Sequence, residues 1–220
     1  MSESFFQLLQ LNDATFPIGS YTFSWGLETF VQQEYIHDRQ STQEYILSEL
    51  YTSFMYGELL SAKCAFEFCR DNNKLRYLDK IYSSSKSAVE IREGSRKLAG
   101  RFFKIIESFT GDLKLKEITY LPEYFATAYG FYCGKKEFDL KESLDFFIYS
   151  QMSSRITTAV KLVPLSQTDG QKILFEISKE FPYAVKKCLS LTQDDLCRSS
   201  PGLDIRSMQH EFLYTRLYSN

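Results

Sequence analysis

Apolar residues recur along most of the chain at intervals of three and four, the spacing that turns one face of an α-helix toward a core. Ile46, Leu50, Phe54, Leu60, Cys64 and Phe68 form one such face and predict a helix over 41–70. Ile91, Leu98, Phe102, Ile105 and Phe109 mark a second. Leu144, Ile148, Met152, Ile156, Val160 and Val163 mark a third, closed by Pro164, which disfavours helical geometry at the residue before it. Shorter helices are predicted at 3–11, 21–34, 74–84, 122–135 and 171–190, the last broken at Phe181-Pro182, where proline removes a helical donor. No stretch reads as a sheet, and no period of roughly 20–50 residues repeats as a solenoid requires. The pattern predicts an all-α fold, a single compact helical bundle over 1–220.

Two segments interrupt it. Asn12 to Ser20 is rich in turn formers and separates two apolar helices. From Thr192 onward a polar stretch leads through Ser199-Ser200-Pro201-Gly202 into a tail carrying Met208, Phe212, Leu213, Tyr214, Leu217 and Tyr218. Side chains this apolar must be buried, either on the chain's own bundle or on a partner.

Size and charge narrow the classes. A chain of 220 residues buries about 70% of its unfolded surface and needs no disulfide or metal to hold a core. With 26 basic and 28 acidic side chains the net charge is −2, without the basic excess that nucleic-acid phosphates demand. No apolar run approaches the ~20 residues of a membrane span, and Met1-Ser2-Glu3-Ser4 lacks the start of a signal peptide. The expectation is a cytoplasmic protein. Its five cysteines, without any C-x-x-C pair, fit reduced thiols. Its 15 Tyr and 19 Phe supply the residue types that dominate cores and interfaces.

Candidate chemistry is sparse. His37 and His210 are the only histidines, and neither sits in a nucleophile motif. Gly94-Ser95 and Gly170-Gln171-Lys172 lack the spacing of a phosphate loop. Glu34-x-x-His37 has the form that builds di-iron centres when two copies face each other, but no second copy exists. No cluster of three or four ligands at close spacing predicts a metal site. Within the 91–101 helix, Gly94 and Gly100 each cost about 1 kcal/mol relative to alanine, which predicts close approach of another helix. The adjoining Arg92, Arg96 and Arg101 either bridge neighbouring elements or form a charged contact surface.

Five stretches carry a resemblance to the UreF family of urease accessory proteins. Asn12-Asp13 with Phe16-Pro17-Ile18-Gly19-Ser20-Tyr21, continuing through Ser24-Trp25-Gly26-Leu27-Glu28, resembles the family's P-[IV]-G turn followed by S-x-G-L-E and is the most specific element. Glu93-Gly94-Ser95-Arg96 is similar to the central helix, and Leu121-Pro122 through Gly130-Phe131 to the segment after it. Lys161-Leu162-Val163-Pro164-Leu165-Ser166-Gln167-Thr168-Asp169-Gly170-Gln171 resembles R-L-x-P-L-G-Q-T-x-G-Q. His210-Glu211 and Arg216-Leu217-Tyr218 resemble the terminal R-H-E and R-L-F-x-S. Departures fall where nickel would be expected to bind: Phe23 stands where relatives often have histidine, and Tyr120-Leu121-Pro122 where many have His-x-Pro.

The resemblance implies an all-helical, homodimeric, non-catalytic protein that joins a UreD/UreH-type accessory protein to the GTPase UreG and, through that complex, serves apo-urease. Nickel would be handled by the complex, with no cofactor held tightly by this chain. Pro17 and Gly19 are expected to set the angle between the first two helices, and Tyr21, Ser24 and Glu28 to flank one helical face near the dimer or UreG-facing surface. In the tail, Leu213, Leu217 and Tyr218 are expected as apolar anchors, Arg216 as a bidentate contact and His210-Glu211 as a polar register. Arg92, Arg96, Lys161 and Gln167 are expected in partner contact or in bridging between helices. The rival reading is a helical-bundle enzyme with an aromatic-lined cofactor cavity, which predicts a large pocket where polar groups converge.

Overall fold

The computed structural model describes residues 3–20, 24–86, 88–110 and 118–196, together with Ile205 and Tyr218; side chains at 109 and 110 are not among those described. Helices α1 (Glu3–Leu11), α2 (Leu27–Gln32) and α3 (Arg39–Glu49) lead into a π-helical segment, Leu50–Leu59, which continues without a break as α4 (Leu60–Glu67). Then follow α5 (Asn72–Ser85), α6 (Val89–Thr110), α7 (Phe125–Lys135), α8 (Leu140–Leu162), α9 (Gln167–Ile177) and α10 (Phe181–Ser190). Among the described residues there is no strand. The all-α expectation holds, and among the described residues no helix is long and apolar enough to cross a membrane.

The helix starts have local causes. The carboxylate of Asp38 accepts from the Ser41 amide at the start of α3, while the Ser41 hydroxyl bonds back, a reciprocal cap. Ser166 and Asp169 form the same arrangement at α9, and Asp71 and Asp139 cap α5 and α8. The predicted break at Phe181-Pro182 is real: one tight 3-10 turn, Ser178–Glu180, separates α9 from α10, with Pro182 in the first turn of α10, where its missing N–H has no helical partner to lose.

Two predicted helices are shorter or less regular than their periodicity. The 41–70 stripe does not belong to one α-helix, because ten of its residues are wound as a π-helix. The predicted 21–34 helix begins only at Leu27, since Trp25 and Gly26 both have positive φ, 55° and 89°. At Trp25 this left-handed backbone costs about 1–3 kcal/mol, which the surrounding packing must offset.

At the centre, α7 lies against α4 with almost no side chain between them. A Cβ added at Gly130 would stand 1.9 Å from the carbonyl oxygen of Ala62, and one at Gly134 would stand 2.6 Å from that of Phe66. A Cβ at Gly100 of α6 meets nothing within 4 Å, so the close approach expected at that glycine is found on α7 instead. Around this contact Phe54, Phe102, Phe125, Tyr129 and Phe147 pack ring against ring, with Tyr129 and Phe147 stacked at 4.7 Å. This uses much of the chain's aromatic content as core.

One ion pair is sealed inside. Arg155 of α8 donates from Nε to Glu49 at 2.7 Å, their side chains only 6% and 5% exposed, and the guanidinium lies over the Phe54 ring. Glu49 is the last residue of α3, so the pair ties α8 to the point where α-helix gives way to π-helix. Removing one partner strands a buried charge. Arg155→Ala is expected to lower unfolding free energy in urea by about 3–5 kcal/mol, and Glu49→Leu combined with Arg155→Met to recover most of it. Gly130→Ala is expected to cost about 3 kcal/mol or more because backbone cannot yield. Gly100→Ala should instead stabilise by about 0.5–1 kcal/mol. The same melts check all four.

Candidate partner-binding surface

The Asn12–Ser20 turn is fastened to the core at three points. Asn12 donates to the Tyr129 hydroxyl at 2.9 Å, and that hydroxyl donates to the Ser143 carbonyl at 2.9 Å, so the end of α1 is hung on α7 and α8. Phe16 and Ile18 are buried, Phe16 against Phe102. Arg101 reaches from α6 and donates to the Ile18 carbonyl at 3.1 Å. Pro17, between the two buried residues, remains exposed. Gly19 has φ +77°, a conformation other residues resist.

Beside the turn runs a groove of about 680 Å³ between α1, the turn and the outer face of α8. The α8 wall is a row of short polar side chains, Ser150, Ser153, Ser154, Thr157 and Thr158, ending at exposed Lys161. Aromatic rings line part of it, including Phe16, Phe146 and Tyr149. Phe6, Leu9 and Tyr149 add exposed apolar surface at about half their area each, on the elements that border it.

The predicted site residues divide in a way their spacing did not foretell. Ser24 and Glu28 are 2% and 1% exposed, buried within this chain; Ser24 precedes α2, and Glu28 lies in its first turn. Tyr218 is likewise buried: its hydroxyl bonds the Thr158 side chain within the influence of Glu28, and burial first, then the Glu28 charge, push its pKa up. Tyr218 thus joins α8, α2 and the far end of the chain. Tyr21, His210, Glu211, Leu213, Arg216 and Leu217 lie outside the described residues.

The remaining candidates sit apart from this cluster. Arg92 donates to the Lys86 carbonyl across the α5–α6 connection. Arg96 pairs with Glu123 at 2.7 Å and Glu93 at 3.2 Å, bridging α6 to the segment before α7. Gln167 is the exposed first residue of α9. Glu34 and His37 fall after the end of α2, with Glu34 at φ +61°, so they share no helical face. Among the described residues no three His, Cys, Asp or Glu side chains gather as a metal site. Burial pushes the Cys64, Cys133 and Cys188 thiols up to about 12, which leaves them protonated and unreactive at neutral pH.

Asp79 escaped the sequence reading, whereas Arg101 does bridge neighbouring elements, one of the two roles expected of it. Asp79 holds the 118–124 segment: its carboxylate accepts from the Tyr120 hydroxyl at 2.6 Å, the Glu123 amide at 2.7 Å and the Thr127 hydroxyl at 2.7 Å. The signal was available, since Leu75, Leu78, Asp79 and Tyr82 are all buried on one face of α5 and an acid there needs partners. The Tyr120-Leu121-Pro122 stretch is therefore positioned by a buried carboxylate.

The sequence model of the UreF family matches residues 36–178. An all-helical protein with a pinned N-terminal turn and a C-terminal tyrosine seated on its own bundle thus falls within a known accessory class. Urease accessory protein UreF of Actinobacillus pleuropneumoniae serotype 5b is 39% identical across 96% of both chains. That of Haemophilus influenzae strain PittEE is 36% identical across 96% of this chain and 93% of its own, and that of Bacillus sp. strain TB-90 is 29% identical across 96% of both. The chain belongs to the UreF family.

Desolvation holds the Asp79 carboxyl above its ordinary range, against the three hydrogen bonds it accepts. The fold therefore favours its protonated form. That contribution to stability is full below about pH 4, the unfolded value, and is lost as pH rises through the folded value. The stability advantage of the natural protein over Asp79→Asn is expected to shrink as pH rises above about pH 4 in urea melts; a constant difference would contradict the upward shift.

Proposed function

We propose that this chain is a non-catalytic urease accessory protein, a cytoplasmic homodimer that joins a UreD/UreH-type protein to the GTPase UreG during nickel delivery to apo-urease. The observation that carries the reading is full-length likeness to relatives named as urease accessory proteins. Nickel is the cargo of the assembled complex in this reading, and no cofactor resides on this chain.

The geometry supports a division of labour. The exposed Pro17 sits on a turn fixed from three sides, which gives a partner a surface already held in place and spares the complex the entropy of ordering it. The groove along α8, with Lys161 at its end, borders that turn. Leu213, Arg216, Leu217 and the preceding His210-Glu211 provide the contacts to the UreD/UreH-type protein, and Tyr218 on Thr158 anchors the end of that segment to the bundle. Tyr21, Ser24 and Glu28 serve the dimer or UreG side; Ser24 and Glu28, buried in this chain, act there through the packing of the segment around α2 and not by direct touch.

Co-expression with UreG and a UreD/UreH-type protein tests the assignment, with complex formation and nickel-dependent urease activation as readouts. Deleting Met208–Asn220 is expected to abolish the UreD/UreH-type complex while helical circular dichroism is retained. Undiminished partner binding by the truncated chain would sink the role of the tail. Urease activation that is equally good without the chain would sink the whole reading.

A further inference from the structure

Arg101 and Gly19 occupy one another's space. A Cβ built at Gly19 would lie 2.4 Å from Nη1 of Arg101 and 3.6 Å from its Cζ, so any side chain at 19 expels the guanidinium. The same Nη1 donates to the carbonyl of Ile18, one residue earlier. Gly19 thus serves two ends: it supplies the positive φ, and it leaves the guanidinium room to reach the backbone.

The contact also fastens the turn near the point where the chain leaves toward α2. Ile18 donates its own amide to Phe16 at 2.8 Å, closing a three-residue loop with Pro17 at its tip. Asn12 fixes the loop's entry, the buried Phe16 and Ile18 side chains fix its depth, and Arg101 fixes the carbonyl at its exit. Arg101 itself lies on the exposed face of α6, so its stem contributes little to the core and its worth is concentrated in the polar contact. The donor bridges 83 positions of sequence to the carbonyl of buried Ile18 in a part-buried contact, so besides satisfying that carbonyl it fixes where the turn's exit stands relative to α6.

We propose that Arg101 is a positioning residue for partner binding: it sets the orientation of the Pro17 tip through the Ile18 carbonyl, and Gly19 exists to admit it. This rests on the reading that the turn faces a partner. The chemistry required is one N–H donor at the end of a long side chain. Lysine can supply that donor, methionine keeps the length without it, and neither disturbs buried packing.

The test is a double-mutant cycle in the complex with UreG and a UreD/UreH-type protein, measured as apparent Kd of the full-length chain, with hydrogen exchange at residues 16–20 as an independent readout. Arg101→Met is expected to weaken assembly tenfold or more and to quicken exchange in the turn, with exchange in α6 and α8 unchanged. Arg101→Lys should restore most of the affinity. In a Gly19→Ala background, where the guanidinium is already expelled, Arg101→Met should have no further effect. Equal losses in both backgrounds, or no loss in either, would overturn the proposal. Pro17→Glu separates the two levels: if it breaks assembly and Arg101→Met does not, positioning by Arg101 is wrong. If neither variant matters, the turn does not face a partner and the underlying reading fails as well.

Discussion

The contact on which the rest of the architecture depends is that of two helix backbones, α7 on α4, made possible by Gly130 and Gly134. At this approach the carbonyl oxygens of Ala62 and Phe66 occupy the places where side chains would stand. Close packing leaves no slack to absorb a shift, so α7 has one position. Several polar supports of the fold are then referred to it. Tyr129 carries Asn12, Thr127 meets Asp79, and the Phe125 amide donates to the buried Ser95 hydroxyl of α6 at 3.0 Å. The turn is thus located by a chain of short hydrogen bonds ending on an immovable helix.

Buried charge plays a narrower part. The Arg155–Glu49 pair offers weak net stability, because desolvation of both ions offsets their attraction. Its value lies in permitting one register of α8 on the α3–π junction and penalising others. The Lys86–Glu58 pair, at 3.0 Å with side chains 9% and 16% exposed, does the same between the end of α5 and the π-helical segment. Regular α-helix would carry residues 50–59 around the axis differently, so these two pairs help to hold the wider winding.

Periodicity was sufficient for the helices and insufficient for their exceptions. Apolar spacing located α1, α6 and α8 to within a few residues because burial of one face is a local property of sequence. It failed at Trp25-Gly26, where two left-handed residues delay α2, and at 50–59, since π- and α-helical windings share apolar runs. Gly100 looked like a packing glycine and is open to space, whereas Gly130, in the same kind of pattern, is not. Which neighbour a glycine faces is a tertiary fact. For the candidate surface, motif resemblance picked out Asn12, Pro17, Gly19 and Tyr218, and the helical pattern drew attention to Arg101, but the contacts that Asn12, Asp79 and Arg101 make span 117, 48 and 83 positions. No single-chain spacing rule spans such separations.

The strained turn ahead of α2 has a practical side. Trp25 is the chain's sole tryptophan, half-buried, packed against the main core, and held at φ 55° between the Pro17 turn and Glu28. Excitation at the red edge of indole absorption bypasses all 15 tyrosines and leaves one emitter, located where the turn meets the bundle. The protein therefore carries a built-in optical reporter, whose emission wavelength and anisotropy follow the seating of that turn without any label.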